Sequence, residues 1–235
     1  MDYNILEKVI SSVASAADEA GVNIVAGDTK VVERGHGDQI YINTTGIGVI
    51  ADNIDLGPHN VKPGDVVIIS GPVGDHGLTV LAAREKFGLQ GLKSDCAALH
   101  KVILPFLETL GTAVKWLRDP TRGGLATTLK ELAASAQVDI YVNEEDIPVR
   151  EEVRGAAEIL GLDPLYLANE GKFCAVVDKT AAERALFFLR QHPLSKEAAL
   201  IGEVRAGLGR VYLHTSLGAT RELYYLSGLQ LPRIC

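Results

Sequence analysis

Cysteine is scarce in this sequence. Three cysteines stand among 235 residues, at positions 96, 174 and 235, and no Cys-x-x-Cys or His-Glu-x-x-His motif occurs. An odd number of widely spaced thiols argues against both a disulfide framework and a zinc site. Cys96 and His100 lie four residues apart on a predicted helix, but with no second pair nearby this spacing is a weak indication of a metal. The pattern predicts a reduced protein.

Long apolar runs and an excess of positive charge are also missing. No run approaches the roughly 20 residues of a membrane span, and no signal-peptide pattern follows Met1. The 23 Lys and Arg against 30 Asp and Glu give a net charge of -7, which argues against a general binder of nucleic acid or of anionic membranes. With 47% hydrophobic residues and no repeat, we expect a cytoplasmic globular protein with a substantial core.

The hydrophobic pattern predicts strands and helices in roughly equal number. Helices are predicted at residues 3–20 (closed by Gly21), 78–88, 96–111 (capped by Asp95), 125–137, 150–161 and 180–191. Strands are predicted at residues 22–27, at two places in 30–50 around a turn at 34–38, and at 66–70, 113–119, 138–143, 171–178, 198–204 and 209–215. The mixture of hairpins and crossovers favours an α+β fold with an antiparallel component over a doubly wound sheet.

A cluster of turn formers at residues 53–62 predicts a domain boundary. We expect residues 1–54 to be the remnant of a larger N-terminal domain, because one helix and about three strands are few for a separate core. Residues 62–226 are expected to form a complete C-terminal domain with a mixed sheet, followed by a tail at residues 227–235.

The segment "VAGDTKVV" places polar residues at the exit of a predicted buried strand. Asp28 could hold a cation, and Lys30 could contact a phosphate or act as a base. Gly-Asp-Thr, which includes Thr29, is equally common in ordinary turns, so both interpretations stay open.

Two further loops precede helices. "SGPVGDHGLTVL" exposes backbone donors at a helix start but lacks the ending of a phosphate loop, and Asp75 could simply cap that helix. In "RDPTRGGLATTL", Asp119 ends a strand and suits Mg²⁺ and a nucleotide, while Gly123 and Gly124 permit a close backbone approach. A capped helix start is the alternative. In "YLANEGKFCAVV", Glu170 could be a general base or an exposed turn residue.

Taken in order, "GDTKVV", "GDHG", "DPTRGGLATTL", "LANEGK" and the terminal "PRIC" resemble the hydrogenase expression/formation protein E family of the aminoimidazole ribonucleotide synthetase-like superfamily. The resemblance covers nearly the whole chain. It implies an ATP-dependent enzyme of [NiFe]-hydrogenase maturation, in which a carbamoyl group on the last residue, here Cys235, is dehydrated to a thiocyanate and donated as cyanide to iron. A terminal thiol fits this work, because it must reach other proteins and its own ATP site.

The resemblance also implies roles for individual residues. Cys235 would carry the group, with Lys30 and Glu170 as candidate bases for dehydration. Asp28 and Asp119 would hold Mg²⁺, and ATP would be bound by these two with Thr29, Gly123 and Gly124. The sequence does not decide which of Lys30 and Glu170 is the base.

The implied partners are a carbamoyltransferase, an iron-carrying maturation scaffold and a second copy of the chain, since members of the superfamily are typically homodimers. Residues 22–50 are the segment expected to pair with another copy. Family members begin with a further acidic segment that helps to hold ATP, so we expect this chain to be N-terminally truncated. Two alternatives therefore stay open: a non-catalytic carrier or scaffold that offers its tail, and a superfamily kinase or synthetase acting on a free small molecule.

Overall fold

The computed structural model describes residues 2–37, 39–87 and 91–226, and the chain divides into two compact units, Met1–Ala51 and Asp52–Cys235. The predicted turn at 34–38 lies only partly within the described residues, because Asp38 does not belong to them. The predicted tail at 227–235, with Cys235, lies outside them altogether. Among the described helices, none combines the length and apolar character that crossing a bilayer requires.

The first unit contains the predicted N-terminal helix, α1 (Tyr3–Ala20). The Asp2 side chain caps it by accepting a hydrogen bond from the backbone N–H of Asn4 at 2.8 Å, and Gly21 closes it. None of its residues is buried.

The strands predicted at 22–27 and within 30–50 are not present, and this prediction is wrong. Apart from the turn near residue 35, the described residues from 22 to 50 carry no regular structure. They are exposed, and Ile47 and Val49 are fully exposed. The β-branched residues that suggested strands prefer a pleated, half-buried surface. A strand also needs a neighbour for its N–H and C=O groups, and the described residues of this unit supply none.

The second unit is built from five helices and seven strands, within the described residues. The helices are α2 (Asp75–Glu85), α3 (His100–Leu110), α4 (Gly124–Ala136), α5 (Glu151–Leu160) and α6 (Ala182–Arg190). The strands are β1 (Val66–Ile69), β2 (Val114–Arg118), β3 (Val138–Asn143), β4 (Cys174–Val177), β5 (Ala199–Ala206), β6 (Val211–His214) and β7 (Thr220–Glu222).

The seven strands form one sheet in the order β2-β4-β1-β5-β3-β6-β7. Every pairing is antiparallel except that of β3 with β6, which is parallel. This mixed sheet with helices confirms the α+β prediction and its antiparallel component.

The central strands are covered on both faces. Alternate residues of β1 point to opposite sides: Val67 and Ile69 join a core packed against α4, while Val66 and Ile68 join a second core with α3 and α6. Burial on both faces explains why "VVII" is a continuous apolar run rather than an alternating one. A third, smaller cluster lies between α2 and α5.

The helix predicted at 96–111 is shorter than expected. It begins at His100, and Leu99, not Asp95, occupies the N-cap position. The predicted cap is wrong because the Asp95 carboxylate has other partners, described below, that hold residues 94–96 outside the helix.

We predict that Gly202→Ala lowers the free energy of unfolding by about 2–3 kcal/mol. A Cβ at Gly202 in β5 would overlap the carbonyl oxygen of Tyr141 and lie 2.8 Å from the Cα of Val142, so β3 and β5 would have to separate. Urea denaturation measures the loss. The matched control is Gly155→Ala in α5, where a Cβ meets nothing within 4 Å; there, stability should rise by up to about 1 kcal/mol. Equal effects at both positions would contradict the packing described.

Candidate active site

Three loops of the second unit meet at one end of the sheet. Ile69 is the last residue of β1, and Arg118 is the last residue of β2. Both pair with Cys174, the first residue of β4. Because both pairings are antiparallel, the loops that leave β1 and β2 lie beside the loop that enters β4. Ser70 and Phe173 fix this junction: each backbone N–H donates to the other residue, at 2.9 Å in both directions.

Asn169 joins the three loops through its buried side chain, which has no exposure to solvent. Its Oδ1 accepts from the backbone N–H of Gly74 at 2.8 Å, and its Nδ2 donates to the carbonyl oxygens of Pro120 and Leu167 at 3.0 Å each. Its backbone N–H also donates to the Pro120 carbonyl at 3.2 Å. All three side-chain bonds go to backbone groups, so Asn169 sets the separation of the loops.

Glu170, the next residue, is half-buried, and its Oε1 is a buried atom without a hydrogen-bond partner among the described residues. Burial raises the pKa of this carboxyl group above its ordinary value; the charge of His76 opposes the rise, and Asp119 and Asp95 add to it. A carboxylate of raised pKa with a free, desolvated oxygen is suited to accepting a proton.

Asp95 holds the backbone of Glu170 in place. Its Oδ1 accepts from the Glu170 N–H at 3.0 Å, and its Oδ2 lies 3.5 Å from the Lys172 ammonium. The two side chains of this ion pair are only 2% (Asp95) and 9% (Lys172) exposed. At Gly171, between them, a Cβ would overlap the Asp95 carbonyl oxygen. Only glycine therefore permits this approach of the two loops.

Asp75 is not a helix cap, contrary to the simpler of the two interpretations of its loop. It is the first residue of α2, whose N-cap, Gly74, makes no side-chain bond. Its buried carboxylate instead accepts from Arg150 Nε at 3.1 Å, and Arg150 also donates to Glu197 at 3.3 Å. Burial raises the pKa of Asp75, and the Arg150 hydrogen bond partly offsets that rise.

His76, Ser94 and Cys96 form a polar group beside Asp95. His76 Nδ1 lies 2.9 Å from Ser94 Oγ and 3.5 Å from Cys96 Sγ. Ser94 Oγ donates to Cys96 Sγ at 3.1 Å. The thiol of Cys96 thus interacts with His76, not with the His100 suggested by helical spacing.

The structure brings two of the predicted site residues together. The charge of Asp119 acts on Glu170, and the Asp119–Gly124 loop is tied to Asn169 through Pro120. Gly124 adopts a positive φ of 62°, and a Cβ there would lie 2.6 Å from the Leu167 carbonyl oxygen, so this close approach is to the chain's own backbone. Gly123 occupies the N-cap position of α4, the helix that begins at Gly124.

The remaining predicted site residues do not belong to the described part of the second unit. Asp28, Thr29 and Lys30 are exposed residues of the first unit, and Cys235 lies outside the described residues. Over residues 2–37, 39–87 and 91–226, no group of three or more His, Cys, Asp or Glu side chains is arranged to hold a metal ion.

Sequence analysis did not identify Asn169, Asp95 or Lys172 as parts of the site. A signal existed for two of them, since Asn169 and Lys172 flank Glu170 within "NEGK". Asp95 had none, because its partners are more than seventy residues away in the sequence.

We predict that Asn169→Ala destabilises the second unit by about 2–4 kcal/mol, because it leaves buried backbone groups of three loops without partners. Thermal and urea unfolding measure the effect. Asn143→Ala is the control: Asn143 donates one exposed hydrogen bond to Asp146 at 2.8 Å, so its loss should cost well under about 1 kcal/mol. A similar small cost at both positions would show that Asn169 does not hold the loops.

Comparisons with known proteins identify the family of this chain. Residues 1–50 match the N-terminal domain, and residues 62–214 the C-terminal domain, of the family described as AIR synthase related protein. A carbamoyl dehydratase HypE of Azotobacter vinelandii is 49% identical, over 98% of this chain and 68% of that protein. A solved structure of hydrogenase maturation protein HypE in complex with ATP superposes with a TM-score of 0.95 and 47% identity, covering 100% of this chain and 72% of that one.

A chain of a solved HypE–HypF complex gives a TM-score of 0.92 at 46% identity, over 96% of this chain and 73% of that one. These matches confirm the resemblance and the fold inferred from the sequence. The chain belongs to the AIR synthase related family and, within it, to the carbamoyl dehydratases named HypE.

Proposed function

We propose that this chain takes part in [NiFe]-hydrogenase maturation by the ATP-dependent dehydration of a carbamoyl group on Cys235. The observation that carries the proposal is Glu170: a half-buried carboxylate with one unpartnered oxygen, held at its backbone by Asp95. Such a group is poised to take a proton from a substrate that enters the site.

The chemistry requires proton removal at the nitrogen of the carbamoyl group. Phosphorylation of the carbamoyl oxygen by ATP converts a poor leaving group into phosphate. The C–O bond then breaks, both amide hydrogens leave nitrogen as protons, and the thiocyanate on Cys235 is formed. Lys30 and Glu170 are the two bases proposed for these proton transfers, and a cyano group would finally pass to iron.

The acidic residues proposed to hold Mg²⁺ have a suitable donor chemistry. Carboxylate oxygens are the ligands that Mg²⁺ prefers, and both Asp28 and Asp119 supply them. In the second unit, Asp119 and Glu170 repel each other, which a cation beside Asp119 would relieve. Thr29, Gly123 and Gly124 are proposed to contact ATP with them; the HypE relative described with ATP supports nucleotide binding.

The proposed partners follow from the same reaction. The solved HypE–HypF complex supports a partner protein for this chain. We propose that this partner is a carbamoyltransferase, which donates the carbamoyl group. An iron-carrying maturation scaffold would accept the cyano group. The reaction is proposed to take place in the cytoplasm.

We predict that protein incubated with carbamoyl phosphate, ATP and the carbamoyltransferase gains a carbamoyl group and then converts it to a cyano group, both seen by intact mass. Cys235→Ala should gain neither. Glu170→Gln and Lys30→Ala should accumulate the carbamoyl adduct, with conversion slowed about 10²–10⁴-fold. Because burial raises the pKa of Glu170, conversion should also fall, as pH is lowered, at a higher pH than expected of an exposed glutamate.

The matched controls are Glu158→Gln and Lys101→Ala, both at exposed helix positions, which should convert at the normal rate. Conversion at the normal rate by Glu170→Gln would show that Glu170 is not a base in this reaction. A carbamoyl adduct without any affinity for ATP, measured by calorimetry, would instead favour a carrier or scaffold. Activity on a free small molecule that is indifferent to Cys235→Ala would favour a superfamily kinase or synthetase.

We also propose that residues 22–50 pair with a second copy of the chain. Their apolar residues are exposed to an unusual degree: Val25 is 92%, Tyr41 81%, and Ile47 and Val49 each 100% exposed. Extended apolar backbone without hydrogen-bond partners is a template for pairing with another chain.

We predict that light scattering at micromolar concentration gives a mass about twice that of the 25.1 kDa chain. Substituting Ile47 and Val49 together by Lys should restore a monomer, because charges on an exposed edge oppose pairing. Leu208→Lys and Leu217→Lys, at exposed positions of the second unit, serve as controls and should leave the dimer intact. A clean monomer for the unaltered chain would contradict the proposal.

A further inference from the structure

The proposed dehydration assigns no proton transfer to His76, Ser94 or Cys96, although the charge of His76 opposes the rise in the pKa of Glu170. His76 is 9% exposed, whereas Cys96 is accessible to solvent. A buried imidazole therefore lies behind an exposed thiol, at 3.5 Å from its sulfur. All three residues belong to the second unit.

The arrangement of this group allows the thiol proton to pass to the imidazole. Once Nδ1 carries the proton, it can donate to Ser94 Oγ at 2.9 Å, and the Ser94 hydroxyl donates to Cys96 Sγ at 3.1 Å. The thiolate would then be stabilised by the Ser94 hydroxyl and by the neighbouring imidazolium. A nucleophile within hydrogen-bond reach of a base that is itself oriented by packing is the usual arrangement of a reactive thiol.

A cavity of about 360 Å³ opens beside the thiol. Beside Ser94 and Cys96, its lining carries equal numbers of cationic and acidic side chains, among them Lys93, Lys196, Asp95 and Glu152. The Asp95 side chain is 2% exposed, and its Oδ2 faces the Lys172 ammonium at 3.5 Å but accepts no hydrogen bond from the described residues. A buried acceptor in this position can take an N–H group from a bound molecule.

The lining specifies the kind of molecule that fits. Lys93 and Lys196 are exposed at the cavity, so both can face carboxylates of a ligand, whereas Arg150 is already paired with Asp75 and Glu197. Asp95 offers an acceptor for an amide or ammonium N–H. The volume suits a group of about the size of a small peptide. Carboxylates, amide N–H groups and a sulfur electrophile occur together in disulfides of small peptides.

We propose that Cys96, His76 and Ser94 form a thiol-modification site that reacts with peptide-like, low-molecular-weight disulfides, one half of which is retained in the adjoining cavity.

The reaction is a thiol–disulfide exchange, in which no external oxidant or reductant is needed. His76 takes the thiol proton, and the Cys96 sulfur attacks one sulfur of the disulfide. The bond between the two sulfurs of the reagent breaks, a bond from Cys96 to the retained half forms, and the other half leaves as a thiolate that recovers a proton.

Cys174 supplies an internal control for folding. It is fully buried in β4 and burial strongly raises the pKa of its thiol, so it should stay unreactive as long as the chain is folded. Experiments in the Cys235→Ser background leave Cys96 as the one accessible thiol. Modification of a second thiol per chain then reports unfolding.

The probes are glutathione disulfide, which is charged and peptide-like, and 2-hydroxyethyl disulfide, which is small and neutral. Rates of adduct formation are followed by intact mass, and peptide mapping locates the adduct. Relative to N-acetylcysteine amide treated in the same way, Cys96 should react about tenfold faster with glutathione disulfide. The gain should be smaller for the neutral disulfide, because that reagent lacks groups for Asp95, Lys93 and Lys196.

Variants separate activation from simple exposure. His76→Asn retains a hydrogen-bonding group near the position of Nδ1 but cannot take the proton, and it should slow the reaction of Cys96 about tenfold. Ser94→Ala should slow it less. His59→Asn, which alters an exposed histidine bonded to Asp55, should have no effect. A Cys96 rate equal to that of the free thiol for both disulfides would overturn the proposal, as would a folded His76→Asn that reacts normally.

Discussion

The candidate site depends on one buried amide. Asn169 satisfies backbone groups from the loop after β1, the loop after β2 and its own loop before β4. Sheet pairing brings these loops to the same end of the sheet, but pairing alone does not fix loops that run beyond the last ladder hydrogen bond. A short side chain that both donates and accepts can do so, and its complete burial makes each of its bonds costly to lose.

Around that amide, the described residues of the site include several charged side chains that form ion pairs and one, Glu170, that does not. Asp95 is matched by Lys172, and Asp75 by Arg150. Removing either partner of the buried Asp95–Lys172 pair leaves a charge that protein cannot solvate, so this pair constrains the loops that carry it. Glu170 is held at its backbone by Asp95 and has a buried oxygen without a hydrogen-bond partner among the described residues. The paired residues hold the backbone, and the unpaired residue remains available for chemistry.

Local pattern was sufficient to predict most elements of the second unit. The run "VVII" predicted a strand buried on both faces, and the alternation in "VDIYVN" matches β3, whose residues are buried at every second position. The same reasoning failed for residues 22–50, because β-branched composition indicates a preference for strands and says nothing about whether a neighbour is present. Two acidic residues of the site were predicted correctly as strand-end residues, because Asp119 follows and Glu170 precedes an apolar run that is easily recognised. Asp95 could not be found, since its partners are brought close only by folding. The position of Asn169 beside Glu170 was a signal, but its role in joining three loops arises only in the folded chain.

The order of strands in the sheet has a consequence for how the molecule is assembled during synthesis. β1 lies between β4 and β5, although Val66 and its partner Val177 are separated by most of the domain. A growing chain therefore exposes its most apolar strand until the segments that flank it have left the ribosome. Contacts of such sequence separation form slowly, and exposed strand edges are prone to association in the interval. The loops that carry Asp119 and Glu170 become neighbours only at that late stage, so the candidate site forms only after β4 has been made.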